Sequence, residues 1–121
     1  MTVAHRLRAA FARDDFEEMI AVLDPDVVWL GIREAAEEEP PMCRNREEVR
    51  GVFQWHREQG NRAKPAIVAE DSYHILVAMN LHQESDTPEL HQLLTVEEDR
   101  VVLVEDFRDR SSALSAGGLD A

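Results

Sequence analysis

The feature that most constrains the fold is a change of pattern near Asn61, where apolar residues at helical spacing give way to β-type segments. Four such segments follow one another, at 66–70, 73–82, 89–96 and 100–108, separated by short polar stretches. Consecutive strands joined in this way pair in antiparallel order. A sheet built from them needs a cover on one face, and only the first half of the chain can supply it.

The first half supplies three helical segments and one short strand. Val3, Leu7 and Ala10 recur at helical spacing after Thr2, and a second short helix follows the two aspartates at 14–15. Residues 27–30 are β-rich, the acidic stretch 34–41 predicts a loop, and a third helix begins at Asn45. The predicted class is α+β, in the order α-α-β-α-β-β-β-β.

Length and composition predict one domain. With 121 residues, of which 44% are hydrophobic, the chain can bury a core of its own. We expect a single domain over residues 1–114, followed by a loose tail at 115–121 that is rich in Ser, Gly and Ala.

Charge and cysteine content exclude several functions. A net charge of −12 opposes binding to nucleic acid and to anionic membranes. The single Cys43 cannot form an internal disulfide, and the N-terminal stretch has no long apolar region, so we expect a cytoplasmic protein. The five histidines are not spaced as metal ligands usually are, so we expect no metal. The sequence has no Gly-rich loop of the kind that binds nucleotide phosphates. We expect no cofactor.

The last two predicted strands place two titratable residues together. If Val96 faces Val101 across the turn at 97–100, antiparallel pairing sets His91 beside Asp106 on one face. A carboxylate beside an imidazole can act as an acid/base unit, so His91 and Asp106 are the candidate catalytic residues. The alternative is a cross-strand polar pair that only satisfies itself inside a partly buried sheet.

The same face predicts an apolar pocket. Strand parity and helical spacing select apolar side chains around the polar pair, together with Arg108 beyond Asp106. The predicted pocket residues are Trp29, Phe11, Phe53, Val77, Met79, Leu93, Val104 and Arg108. We therefore expect a hydrophobic or aromatic small molecule as ligand. The opposite face of the long strand, around Leu76 and Ala78, is too apolar for solvent, which predicts a homodimer through the outer sheet face.

Several motifs carry a family resemblance. They are Ala-Arg-Asp-Asp-Phe16, Leu-Asp-Pro-Asp-Val-Val-Trp29, Asn-Arg-Glu-Glu-Val49 and His91-Gln-Leu-Leu-Thr-Val, followed by Arg100-Val-Val-Leu-Val-Glu-Asp-Phe-Arg-Asp-Arg110. With the order of elements, they make the chain resemble the nuclear transport factor 2-like superfamily, closest to its SnoaL-like (polyketide cyclase-like) members. The resemblance spans about residues 2–114 and implies a cystatin-like fold, in which a curved antiparallel sheet forms a cone around the N-terminal helices.

The resemblance also tests one known chemistry. Aligned with ketosteroid isomerases, the chain has Gly31 where their catalytic carboxylate stands and Leu7 where their oxyanion tyrosine stands. Their second oxyanion donor falls on His91, and an apolar pocket residue falls on Asp106. Isomerisation by that mechanism is thus disfavoured, whereas SnoaL-like cyclases are said to use an acidic base near the pocket, for which Asp106 is the candidate.

Two functions follow from this pattern. The first is a pocket protein that binds a hydrophobic or aromatic small molecule and catalyses a cofactor-independent proton transfer, as a cyclase, an isomerase or a related lyase or hydrolase. The second is a non-catalytic ligand-binding or protein-interaction domain. Fold alone cannot choose between them.

Overall fold

The helices form where the sequence supplies caps. The computed structural model describes residues 2–33, 41–60, 64–80 and 90–119. The Thr2 side chain accepts a hydrogen bond from His5 N (3.1 Å), and Asn45 accepts one from Glu48 N (2.9 Å). These caps begin the first and third helices at the predicted positions. The elements are α1 (Val3–Arg13), α2 (Phe16–Ala21), β1 (Leu23–Ile32), α3 (Arg46–Glu58), β2 (Lys64–Glu70), β3 (His74–Asn80), β4 (Leu90–Glu97), β5 (Arg100–Phe107) and α4 (Arg110–Gly117).

The five strands form one curved, unclosed sheet in the order β1-β5-β4-β3-β2. The predicted α+β class and element order are confirmed, and β2 to β5 pair in antiparallel order as expected. The sheet is nevertheless mixed, because β1 pairs with β5 in parallel. β1 and β2 lie at opposite margins of the sheet, and α3 stands between them in the chain.

The helices cover the inner face of the sheet. α1 packs on β2 and α3 packs on β1. Arg57 of α3 binds the Asp14 carboxylate through both nitrogens (2.9 and 3.1 Å), and Arg50 binds Glu17 at 2.7 Å. These ion pairs join α3 to the first two helices, but they are exposed and add little stability.

The C-terminal segment is not loose. α4 begins at Asp109, whose carboxylate accepts from Ser112 N (2.9 Å), and it ends at Gly118 in a left-handed conformation. It packs on β3, β4 and β5, and Leu119 beyond it is also buried. The expectation of a loose tail from residue 115 is therefore wrong up to Leu119.

α4 covers apolar side chains of the outer sheet face, a set we call the outer cluster. Its buried members are Leu76, Leu93, Phe107, Ala113 and Leu119. The homodimer was predicted because the outer face around Leu76 was too apolar to be exposed. At Leu76 a helix of the same chain covers that face, so this reason for a dimer no longer applies. The homodimer itself stays a prediction.

Some predicted features lie outside the described residues. These are most of the acidic loop at 34–41, the polar stretch at 85–88, and His82. Within the part of the chain that the structure does describe, no helix is long and apolar enough to span a membrane.

The turn between β4 and β5 places two residues in the left-handed backbone conformation, which Glu98 adopts poorly. Glu98 and Asp99 have φ values of 51° and 62°, and both are exposed. Two consecutive left-handed residues suit the Asn-Gly pair of a tight hairpin, because L side chains other than Asn and Asp meet steric resistance there.

We expect the double variant Glu98→Asn/Asp99→Gly to raise the free energy of unfolding by about 1 kcal/mol. Urea denaturation followed by circular dichroism measures it. The control is Glu97→Asn/Arg100→Gly, which places the same residues in the flanking strands and should lower stability. Equal stabilities of the turn variant and the wild type would contradict the argument.

Candidate active site

A β-bulge decides which residue lies beside Asp106. Val96 pairs with Val101 as predicted, but Thr95 then pairs with Leu103, so Val102 is an extra residue on β5. From there the register is shifted by one, and Gln92 faces Asp106 while His91 faces Phe107. The predicted pairing of His91 with Asp106 is therefore wrong.

His91 lies on the other side of the sheet from Asp106. Neighbouring residues of a strand point to opposite faces, and the partners of His91 are Ala78 and Phe107, the latter a member of the outer cluster. The His91 side chain is buried, and its positive potential lowers the pKa of Asp109 as a minor cause after the hydrogen bonds from Ser112. With this register, His91 cannot act as the acid/base partner of Asp106.

The carboxylate of Asp106 is held by two neutral donors. The indole Nε1–H of Trp29 donates to Oδ2 at 2.8 Å, and the side-chain amide of Gln92 donates to Oδ1 at 3.0 Å. All three side chains are buried, with 3% of Asp106, 6% of Trp29 and 4% of Gln92 exposed. We call this set the Asp106 triad.

Three strands position the triad. Asp106 is the second-last residue of β5, Gln92 is near the start of β4, and Trp29 comes from β1, whose parallel pairing places Trp29 beside Val104. The site thus stands at the end of the sheet where β1, β3 and β5 end and β2 and β4 begin. The main-chain carbonyl of Asp106 also accepts from Arg33 N at 2.9 Å.

Burial raises the pKa of Asp106 to about 6, because the ionised carboxylate loses its hydration. The hydrogen bonds from Trp29 and Gln92 oppose this shift, since they stabilise the ionised form. A nearby arginine does not contribute: the Arg33 guanidinium lies 3.8 Å from Glu105, whose side chain points to the opposite face of β5. The carboxyl group can therefore accept and return a proton near neutral pH.

The predicted pocket residues divide between the two faces of the sheet. Trp29, Phe11, Phe53, Val77, Met79 and Val104 belong to one inner apolar cluster. Leu93 belongs to the outer cluster, because the bulge turns it away from Asp106, and Arg108 is exposed beyond the end of β5. Within the inner cluster the rings of Trp29 and Phe53 are 5.2 Å apart and tilted by 47°. Phe11, Phe53 and Met79 are only partly buried.

Cys43 closes the free edge of β1 beside Trp29. Their main chains exchange hydrogen bonds, Trp29 N to Cys43 O (2.9 Å) and Cys43 N to Trp29 O (3.1 Å). Burial raises the pKa of the Cys43 thiol, and the negative charges of Glu48 and Asp106 add to the effect. Arg44 and Arg46 do not contribute to this shift, so the thiol stays protonated at neutral pH.

An open groove lies outside Cys43. It has a volume of about 440 Å³ and runs between residues 42–43 and α3, lined by Met42, Cys43, Glu48, Gly51, Val52 and Trp55. Trp55 is 56% exposed, and its ring stands edge-on to that of His56, which is also exposed. No group of three or more His, Cys, Asp or Glu side chains suited to a metal occurs among the described residues.

The site residues were only partly visible in the sequence. Asp106 and Trp29 were singled out, but Gln92 was missed, because its place opposite Asp106 depends on the bulge. The run of aliphatic residues Val101-Val-Leu-Val104 carries no local mark of where an extra residue enters the strand.

Solved structures share this fold. No protein-family model matches the chain, and no curated protein matches it in sequence. An NTF2-like protein of unknown function from Burkholderia pseudomallei is 19% identical, with 93% of this chain and 92% of that chain covered and a TM-score of 0.59. A candidate polyketide cyclase from Pseudomonas putida is 12% identical, with coverages of 92% and 94% and a TM-score of 0.60. A protein with a ketosteroid isomerase-like fold from Catenulispora acidiphila, solved with trimethylamine, is 17% identical, with coverages of 99% and 96% and a TM-score of 0.55.

Proposed function

We propose that this chain, which has the nuclear transport factor 2-like fold, binds an apolar small molecule and uses Asp106 as a cofactor-independent general acid–base. Cyclisation or isomerisation by proton transfer is the reaction type that fits. The observation that carries the proposal is a buried carboxyl group with a pKa of about 6, held by two neutral donors. Perturbed titratable groups of this kind concentrate at functional sites.

The geometry of the triad supports a base rather than a spectator. Each carboxylate oxygen accepts one hydrogen bond in the described structure and has a second lone pair with which to take a proton. Trp29 and Gln92 act as positioning residues, since they fix both oxygens at once. At pH 7 most of the carboxyl group is ionised, and its conjugate acid is strong enough to return the proton to another atom of the ligand.

The ligand-binding part of the proposal rests on the inner cluster. Phe11, Phe53 and Met79 are apolar, partly exposed and packed on the cluster that contains Trp29. Such surfaces accept hydrophobic or aromatic rings, with Met79 adapting its shape to them.

A second function is favoured by one observation. Trp29 and Phe53 already pack on each other at 5.2 Å, and both oxygens of Asp106 are satisfied inside the protein. A non-catalytic domain that binds a ligand or a partner protein would show the same contacts. Only the behaviour of Asp106 toward a bound ligand separates this function from the first.

The ionisation of Asp106 is measurable through its indole partner. The chain has two tryptophans, so in the Trp55→Phe variant the fluorescence reports Trp29 alone. We expect its emission to titrate with a midpoint of about pH 6, because the hydrogen-bonded carboxyl group changes charge there. Adding Asp106→Asn should abolish the transition, and adding Glu105→Gln, which removes a carboxylate of the opposite face, should keep it. A midpoint below pH 4.5 would contradict the perturbed site.

Proton abstraction is tested without knowing the physiological substrate. Aromatic ketones, lactones and aromatic iminium-type cations are incubated with the protein in D2O, and deuterium entry next to the C=O or C=N group is followed by mass spectrometry. The first function predicts faster exchange than in buffer for at least one compound, lost in Asp106→Asn and kept in Glu105→Gln. Compounds that bind without Asp106-dependent exchange would establish the second function instead.

A further inference from the structure

We propose that the proton Asp106 removes comes from a cationic ligand, an apolar ring system carrying an iminium-type nitrogen, so that the step cancels charge inside the protein. This inference rests on the proposed function and names the substrate class of the same site. Two features of the site support it: the side chains that donate to Asp106 are neutral, and the Arg33 guanidinium lies beside Glu105.

The donors of the triad are committed to the carboxylate. The Trp29 indole has one N–H and gives it to Oδ2, whereas the Gln92 amide keeps one N–H after binding Oδ1. Removing a proton from a neutral carbonyl compound would create a negatively charged enolate oxygen. To stabilise this oxygen, the triad has one remaining donor, the second N–H of the Gln92 amide. Preorganised donors normally stabilise such an oxyanion.

Positive charge is also directed away from the site. Arg33 follows β1 close to Asp106, and its main-chain N–H even reaches the Asp106 carbonyl, yet its guanidinium lies against Glu105. The Cys43 thiol lies close enough for the charge of Asp106 to contribute to its raised pKa, so this neighbour is neutral. A buried carboxylate with neutral partners attracts a cation and repels an anion.

With a cationic carbon acid, the proton transfer to Asp106 neutralises both charges. The C–H bond beside the C=N group breaks, and its electron pair becomes the C=C bond of a neutral enamine. The C=N π pair moves to nitrogen as a lone pair, and the proton bonds to an oxygen of Asp106. Two opposite charges become none, which a buried apolar environment favours and for which no oxyanion donor is needed.

The aromatic side chains of the inner cluster suit the same ligand. Phe53 packs on Trp29 and is only partly buried, as is Phe11 elsewhere in the inner cluster. Aromatic faces attract weakly hydrated organic cations more than neutral rings of equal shape. The net charge of −12 adds a long-range attraction that is independent of the site, so the test needs a control of equal charge.

The test compares carbon acids of similar size in the full chain. Deuterium exchange in D2O at pD 7.5 is followed for the 2-methyl group of 1,2-dimethylquinolinium and for the methyl ketone 2-acetylnaphthalene. We expect the acceleration over buffer to be at least tenfold larger for the cation. The dissociation constant of 1,2-dimethylquinolinium, measured by Trp29 fluorescence in Trp55→Phe, should be at least tenfold below that of its neutral isostere 1,2-dimethylnaphthalene.

The variants decide what an outcome means. Asp106→Asn should remove the preference for the cation, and Glu97→Gln, which makes the same change of net charge at an exposed position at the end of β4, should keep it. Equal or larger acceleration of the ketone, or a preference for the cation that persists in Asp106→Asn, would overturn this inference while leaving the acid–base role of Asp106 intact. Absence of both binding and exchange for all three compounds would overturn both proposals.

Discussion

The variant Asp106→Asn is expected to be more stable than the wild type at pH 8, by about 3 kcal/mol in the free energy of unfolding. The pKa of an aspartate in an unfolded chain is about 3.9, and burial raises that of Asp106 to about 6 in the folded protein. At 1.36 kcal/mol for each tenfold change in proton affinity, the difference corresponds to about 3 kcal/mol. An amide of the same shape carries no charge to desolvate.

The sign follows from proton binding. Between about pH 4 and pH 6 the folded protein holds a proton on Asp106 that the unfolded chain has released, so stability falls as the pH rises through this window. Above pH 6 the loss is complete. Below pH 4 it is absent, and the variant should there be no more stable than the wild type.

The hydrogen bonds of the triad can persist in the variant. The Asn oxygen accepts from Trp29, and a rotated Gln92 amide accepts from the Asn NH2 with its oxygen, so both contacts of the triad keep a donor and an acceptor.

Urea denaturation at pH 4, 6 and 8 measures the effect, with Glu105→Gln as the control for a changed net charge. Equal stabilities of Asp106→Asn and wild type at pH 8 would show that the carboxylate is not destabilised by burial. A gain in stability together with a loss of deuterium exchange would be the pattern of a group retained for function at the expense of stability.

The second large effect is expected from α4. Ala113→Arg places a charged side chain where none of the native residue is exposed, between α4 and the sheet. α4 must then leave the sheet and re-expose Leu76, Leu93 and Phe107, of which 0%, 1% and 6% are now accessible. At about 1.5–3 kcal/mol for each large apolar side chain, we expect a loss on the order of 5 kcal/mol.

Urea denaturation and analytical ultracentrifugation test this variant, because the bared outer cluster should either unfold the domain or drive it to associate. Ser115→Arg, at an exposed position of the same helix, is the matched control and should change stability by less than about 0.5 kcal/mol. A monomeric Ala113→Arg of native stability would show that α4 does not hold the outer face.

Local patterns were enough to predict most of the fold. Thr2 and Asn45 cap their helices through hydrogen bonds three residues along the chain, and such contacts are visible in a sequence. The parallel pairing of β1 with β5 is a contact between distant segments and has no local mark.

The C-terminal helix could have been recognised from the same kind of signal. Asp109 followed by Ser112 is a capping pattern, and Gly118 takes the left-handed conformation that ends a helix. The small residues between them gave too weak an apolar periodicity to suggest a helix. Its docking depends on close approach, since a Cβ on Gly117 would stand 2.8 Å from a Leu93 methyl.

The candidate site was half predicted, for a definite physical reason. Strand parity placed Trp29 and Asp106 on the inner face, but one extra residue at Val102 exchanged His91 for Gln92 as the cross-strand partner. An imidazole would have made an ion pair with the carboxylate. The Gln92 amide that lies there is neutral and offsets only part of the cost of burying the carboxylate, so the pKa of Asp106 is raised. The bulge therefore determines the acidity of the site.

The structure of the two edge strands, β1 and β2, affects whether molecules associate through their sheets in concentrated solution. On one margin, the main chain of Trp29 is already engaged by Met42 and Cys43. On the other, β2 begins Lys64-Pro65, and proline has no N–H to offer, while a bulge follows Ile67. At Trp29 and at Pro65, a strand of a neighbouring molecule therefore meets no free main-chain N–H. These two positions oppose fibril growth by strand addition.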